Sequence, residues 1–385
     1  MNLKRIVSSP LNIFLIIWIL VISTFQLRVA TFIQGYNIDQ FIFPLVGIFY
    51  FSIGFILIYF LKRINKKQKK FEFYLSNVRF IIFYYFLLFF IIIIFFINLN
   101  FFGLPPFLSF FGYDTSVYLE YGRFKGLLFG LLIFLFLISM YTTKKLSIFM
   151  KFISILILLL YVSRGNIIFS ILAYFFLLIY ENKITNKKLV FISIFMIIFI
   201  LVLFQILGEY RTGTEAFYNA LEIKDEFQIN NSGIIWLISY ISMPFVNFLE
   251  LTHHSHMYYG ENIISRSIPA FLNFNAEAVD FYKSTLLNQY NTVSGYMGPV
   301  YLDFGLLGII MYNFFLGLVL GYSYYFSKNN LIKSILITAI FLSFFVDYFF
   351  YFTTIVLIIL SIIFNKFVLK RRYLNNDCIN NYTDI

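Results

Sequence analysis

Long uncharged apolar runs alternate along the chain with short polar segments that carry most of its lysines and arginines. A helix that crosses a bilayer needs about 20 mainly apolar residues, with a range near 17–25. By that measure the pattern predicts ten helical spans: Leu11 to Leu27, Phe41 to Leu61, Phe80 to Ile97, Leu127 to Tyr141, Ile148 to Val162, Ile167 to Tyr180, Leu189 to Leu207, Met297 to Phe326, Leu331 to Val346 and Tyr348 to Phe364. The first run is long and is followed by no small-residue cleavage site, so it reads as a span rather than a removed leader. A further apolar stretch, Ile234 to Leu249, lies inside the longest interval, Gly208 to Tyr296. It reads as an interfacial or re-entrant helix broken near Pro244. Residues 1–385 thus form a single polytopic membrane domain of the all-α class, with 208–296 as a large extracytoplasmic loop.

Composition agrees, because 61% of the residues are hydrophobic and 12% charged, against roughly 45–50% and about 25% in soluble chains. Such an apolar surplus excludes a disordered chain and a disulfide-stapled secreted module. The net charge of +11 would suggest nucleic acid in a soluble protein. Here it follows the topology. With the N-terminus in the cytoplasm, 21 of the 29 Lys and Arg residues fall on the inner side, as the positive-inside rule requires. Both termini are then cytoplasmic. The one cysteine, Cys378, permits no internal disulfide.

Candidate chemistry gathers on the outer side. The runs Ile148 to Val162 and Ile167 to Tyr180 have about 15 residues each, or roughly 22 Å at 1.5 Å per residue, whereas the hydrocarbon core is about 30 Å thick. Anchored by lysines at the inner face, the tip Ser163–Arg164–Gly165–Asn166 should sit below the outer surface. Arg164 is then either a snorkelling helix-end arginine or an anion site for a lipid phosphate or pyrophosphate. Gly165 allows close approach of a ligand. Gly208–Glu209–Tyr210–Arg211–Thr212–Gly213 opens the long loop as an interfacial anchor or as a second anion site in a shaped turn, with the planar guanidinium suited to phosphate oxygens. Arg266 and Lys283 are further cations of that loop, which a solvated face explains equally well.

His253, His254 and His256 cluster beside Glu250. Their spacing fits no helical zinc motif, so a solvated cluster or a general base is expected and no metal. Asp303, inside an apolar run, needs either a partner such as Arg164 or Arg211 or a catalytic role. Asp347 marks an outer turn. Tyr and Trp side chains of the loop, Trp236 and Tyr240 among them, offer flat apolar faces with polar edges.

Several of these blocks carry a resemblance: Ser163–Arg164–Gly165 at a hairpin, Arg211 at the loop mouth, Pro244 with Asn247 in the apolar segment, and Gly295-Tyr296 through Asp303-Phe304-Gly305-Leu306-Leu307-Gly308. Together, over about Ile148 to Gly321, the chain resembles the bacterial Wzy-type O-antigen and capsule oligosaccharide repeat unit polymerases. The resemblance implies a GT-C-like membrane glycosyltransferase of the bacterial cytoplasmic (inner) membrane, with no cofactor. Its substrates would be undecaprenyl-pyrophosphate-linked oligosaccharides, polymerised at the outer face. A chain-length regulator and a flippase are the implied partners, with the bilayer and no nucleic acid. The substrate-binding candidates are Arg164, Arg211, Tyr210 and Arg266, and the catalytic candidates are Glu209, Asp303 and His254. An O-antigen ligase, a lipid-linked oligosaccharide flippase and, more remotely, a membrane acyltransferase are the other classes.

Overall fold

In hydrocarbon the backbone must satisfy its own hydrogen bonds, so uncharged apolar runs fold as helices. The computed structural model describes residues 3–31, 33, 41–64, 71–113, 124–228, 232–254, 257–269, 272, 281, 282, 284 and 293–373. Its principal helices are α1 (Pro10–Gln26), α2 (Ile42–Ile64), α3 (Asn77–Phe102), α4 (Lys125–Ile138), α5 (Lys144–Leu160), α6 (Arg164–Tyr180), α7 (Asn186–Thr212), α8 (Ser232–Leu251), α9 (Glu261–Ser267), α10 (Met297–Tyr325), α11 (Asn330–Phe341) and α12 (Phe352–Phe367). Among the described residues 5 helices are long and apolar enough to cross a membrane, namely Ile42–Ile64, Asn77–Phe101, Asn186–Ile206, Gly233–Leu251 and Met297–Tyr325. The protein is therefore a helical membrane protein. Its one sheet among these residues is an antiparallel ribbon that pairs β1 (Phe71–Leu75) with β2 (Leu369–Tyr373).

Every long helix except α8 runs between the same two ends of the bundle. At the end that carries the ribbon, the Tyr180 hydroxyl donates to the Ser8 carbonyl at 2.9 Å and the Tyr141 hydroxyl to Glu181 at 2.9 Å. There too Asn330 donates to Glu181 at 3.1 Å and Arg79 to the Phe367 carbonyl at 3.2 Å. At the far end, the Thr353 hydroxyl donates to the Gly126 carbonyl at 3.1 Å and the Tyr296 amide to the Ser343 carbonyl at 3.0 Å.

The closest helix pair is α2 against α10. A Cβ on Gly54 would stand 2.3 Å from the Phe314 carbonyl oxygen, and one on Gly317 would stand 2.2 Å from that of Phe51. Lipid tails are as apolar as leucine, so membrane helices associate through close backbone packing rather than hydrophobic expulsion, and small residues make that possible.

Helix α8 lies across the far end, as its neighbours show one after another. A Cβ on Gly233 would meet Leu201 and Gln205, and Trp236 rests on Gly208, all in the C-terminal half of α7. Tyr240 reaches Arg164 at the start of α6. The Phe245 ring is 5.3 Å from Phe25 and 5.7 Å from Phe41. Phe248 is 5.8 Å from Phe43 at the start of α2, and Leu251 faces Gly298 in the first turn of α10. The helix therefore touches five neighbours in turn, reaching Trp18 in the middle of α1 as well as the far ends of the others. The expected break at Pro244 is absent, because Ser232–Leu251 is a single helix with Pro244 inside it. Two other boundaries also move. The run Leu331 to Val346 stays helical only to Phe341, and the helix after it begins at Phe352 rather than at Tyr348. Residues 342–351 form an apolar connection at the far end.

Candidate functional site

Helices α5 and α6 have 17 residues each, or about 25 Å, so they remain shorter than the hydrocarbon core. Arg164 opens α6 and is only 8% exposed. The Ser163 hydroxyl accepts from the Asn166 side chain at 2.8 Å and closes the turn that precedes it. The Arg164 guanidinium donates to the Tyr240 hydroxyl at 2.9 Å. Its central carbon lies 5.3 Å from the Tyr240 ring, 5.7 Å from Phe204 and 5.8 Å from Trp236. Three aromatic faces thus hold a cation, an arrangement favourable to charge by the ring quadrupole. A snorkelling side chain would reach past such rings to water. This one is enclosed by them.

Two glycines make the enclosure possible. A Cβ on Gly208 would stand 2.8 Å from the Trp236 indole, so the bare backbone of α7 is the surface on which that ring lies. Gly208 is inside α7 and is no part of a loop-opening turn, and the helix ends only at Gly213, with φ +77°. On the other side of Arg164, a Cβ on Gly165 would stand 2.8 Å from the Tyr348 hydroxyl. The close approach expected at Gly165 is made by Tyr348. Trp236 stacks on Phe217 at 3.6 Å and is 2% exposed, so it is a wall of the Arg164 site and no platform for sugar.

One residue after Gly208, Glu209 accepts hydrogen bonds from the Gln205 amide and, at 3.5 Å, from the Thr214 hydroxyl. The backbone of Tyr210 and Arg211 completes the last turn of α7. Their side chains, together with residues His256 and Lys283, lie outside the described residues.

Asp303 is placed elsewhere. Its Oδ1 accepts from the Asn262 amide at 3.1 Å and side chain at 2.9 Å, and its Oδ2 accepts from the Ile263 amide at 3.0 Å. Its carboxylate caps the N-terminus of α9, the arrangement favoured by unpaired amides and the helix dipole. The expected pairing with Arg164 is not made, and the oxygens that a base would need are occupied. Arg266, at the end of α9, lies 4.9 Å above the Tyr282 ring.

His254 meets Phe281 edge-on at 5.4 Å, beyond the C-terminal end of α8. From Tyr240 to Leu251 the helix advances about 16 Å, so His254 and Arg164 belong to different places. Asp347, in the connection 342–351, is fully buried. It accepts from the Tyr312 hydroxyl at 2.8 Å and from the Phe349 amide at 3.1 Å. Burial pushes its carboxyl up to about 6, against the opposing effects of Tyr312, Arg266 and the Phe350 and Phe349 amides.

The structure thus unites Arg164 with Trp236 and Tyr240, whereas Asp303 is engaged at the N-terminus of α9 and His254 lies beyond the C-terminal end of α8. Phe204 and Tyr348 were missed, because within apolar runs nothing distinguishes a ring that faces a cation from one that faces lipid. No family model, no curated protein and no solved structure matches the chain.

Proposed function

We propose that the protein polymerises lipid-linked oligosaccharide repeat units, with both termini in the cytoplasm, ten crossing helices and the Arg164 site at the outer face of the cytoplasmic membrane. The observation that carries this reading is the buried guanidinium of Arg164 at the head of a short hairpin, framed by Phe204, Trp236 and Tyr240. A fixed cation at headgroup depth suits a pyrophosphate whose negative charge grows as it leaves. In the proposed reaction an acceptor sugar hydroxyl attacks the anomeric carbon of the donor glycan. The bond from that carbon to the pyrophosphate oxygen breaks, and undecaprenyl pyrophosphate departs. Arg164 and Arg211 neutralise the leaving group, so the reaction requires no metal. Glu209, one residue after the glycine on which Trp236 rests, is the preferred acceptor of the hydroxyl proton, since Asp303 is engaged in capping and His254 is remote.

The test uses a strain that lacks the gene and carries each variant at matched membrane abundance. Arg164→Ala and Arg164→Lys should lose long glycan chains and accumulate single repeat units at the outer face, because losing one transition-state donor costs about 10²–10³ in rate. Lys fails because an ammonium cannot replace the planar fork. Lys224→Ala should leave the chain-length profile unchanged. A wild-type profile from Arg164→Ala would remove the assignment. Accumulation at the cytoplasmic face would point instead to a flippase.

A further inference from the structure

At the ribbon end of the bundle, four helix ends bring two lysines together. Lys62 lies in the last turn of α2 and Lys333 in the first turn of α11, while Tyr325 ends α10 and Tyr180 ends α6. The Lys62 ammonium is 4.9 Å from the centre of the Tyr325 ring, and that of Lys333 is 5.7 Å from the centre of the Tyr180 ring. The two ammonium groups are near enough to repel one another. Lys333 is half-buried, so this repulsion is screened less than between free surface lysines. Glu181 attracts Lys333, but its Oε1 already accepts from the Tyr141 hydroxyl at 2.9 Å and from the Asn330 side chain at 3.1 Å. Among the described residues neither lysine is ion-paired. One carboxylate thus stands against two ammonium groups, each of which keeps N–H donors for a further acceptor.

The surroundings identify that acceptor. The Tyr325 ring is 5.7 Å from Tyr59 and 4.9 Å from Tyr324, an aromatic cluster of the kind that marks a membrane–water interface. Leu61 and Ile64 of α2 and Tyr322 of α10 are all more than half exposed beside it. An anion held here has two cations at headgroup level and an apolar surface running from them into the bilayer. A free phosphate ion uses only the first feature, whereas a phospholipid uses both, and basic pockets between membrane helices take anionic headgroups in this way. We infer that Lys62 and Lys333 hold the phosphate of an anionic phospholipid from the leaflet at the ribbon end, with its acyl chains along the exposed flanks of α2 and α10. The 17 residues of α6, about 25 Å, separate this site from Arg164. It stands whether or not the protein polymerises glycans.

The experiment follows the melting temperature of the full-length protein in neutral detergent micelles as phosphatidylglycerol is added. Phosphatidylcholine and sodium phosphate at matched phosphate concentration are the other two arms. Phosphatidylglycerol should raise the melting temperature and the other two should leave it unchanged. Lys62→Gln and Lys333→Gln should each weaken the response to phosphatidylglycerol about fivefold, the worth of one cation beside an anionic lipid surface. Lys187→Gln removes an exposed lysine at the same end, in the first turn of α7, and should change the response by less than about twofold. If Lys333→Gln fails to fold, Lys62→Glu at the exposed position decides alone, and should abolish the response. An equal loss from Lys187→Gln would show that overall charge attracts the lipid and would overturn the inference. Equal stabilisation by sodium phosphate would overturn it in favour of a free anion, and a wild-type response in Lys62→Glu would remove the site.

Discussion

Helices α7 and α8 are both long and apolar, yet their surroundings differ sharply. Of the most apolar window of α7 only 17% is buried against protein, whereas for α8 the figure is 72%. Their sequences reflect this. The middle of α7, Leu189 to Ile206, has one hydroxyl and one amide, and most of its rings and branched chains are exposed, among them Phe191, Ile194, Phe195, Ile197 and Ile198. Helix α8 carries Trp236, Ser239, Tyr240, Ser242 and Asn247, and each of these is largely withdrawn from the surface. Apolar length thus identifies a helix that tolerates the membrane, and only the polar residues within it tell whether protein or lipid surrounds it. Helix α8 is the more polar of the two because its neighbours supply partners. The Asn247 side chain, for example, donates to the Val293 carbonyl at 2.8 Å.

The largest effect that follows from this contrast is at Trp236. Trp236→Ala removes a buried ring stacked on Phe217 and seated on Gly208, and should cost about 3–5 kcal/mol. Phe195→Ala on the lipid-facing flank of α7 should stay within about 0.5 kcal/mol. Denaturant unfolding in mixed micelles compares the two, and equal losses would erase the distinction between the helices. Next in size is Asp347, whose connection packs against α8 through Phe345, 5.3 Å from the Tyr240 ring. Its carboxyl is raised to about 6 by burial, so the folded state holds the proton more tightly than the unfolded chain does. Stability should therefore fall as pH rises from about 4 to about 6, by on the order of 2–3 kcal/mol, and level off above that range. Asp347→Asn should flatten the melting temperature across that window, and an unaltered pH profile would exclude Asp347 as its source. Asn247→Leu should cost about 1–3 kcal/mol, since the Val293 carbonyl loses its donor. Melting temperature measures this too, and an unchanged value would mean that the carbonyl finds another partner.

Much of the helical layout was legible in the sequence. The run Leu11 to Leu27 folds as Pro10–Gln26, and Met297 to Phe326 folds as Met297–Tyr325. The short hairpin that recesses Arg164 also follows from run length. What was not legible is apolar sequence used outside a lengthwise helix. Residues 342–346 are as apolar as a span but turn to pair with Gly295 and Tyr296. The Ile234 to Leu249 segment contains a proline, yet its helix continues because packing on both flanks holds it. At the site, Arg164 announced itself as a charge in an apolar setting. The rings around it did not, since Phe204 and Tyr348 depend on which helices meet. Asp303 also signalled a partner, but the partner was the exposed amide end of a short helix about 40 residues earlier, which no local pattern could identify.

The central claim is that α8 lies across one end of the bundle, so the chain enters and leaves it on the same side of the membrane. Glu226 and His253 flank the helix and are exposed. With Cys378 replaced by serine, Glu226→Cys and His253→Cys should both react with a membrane-impermeant maleimide added to intact cells. Labelling of one position from outside and of the other only after the membrane is opened would mean that α8 crosses, and would contradict the account.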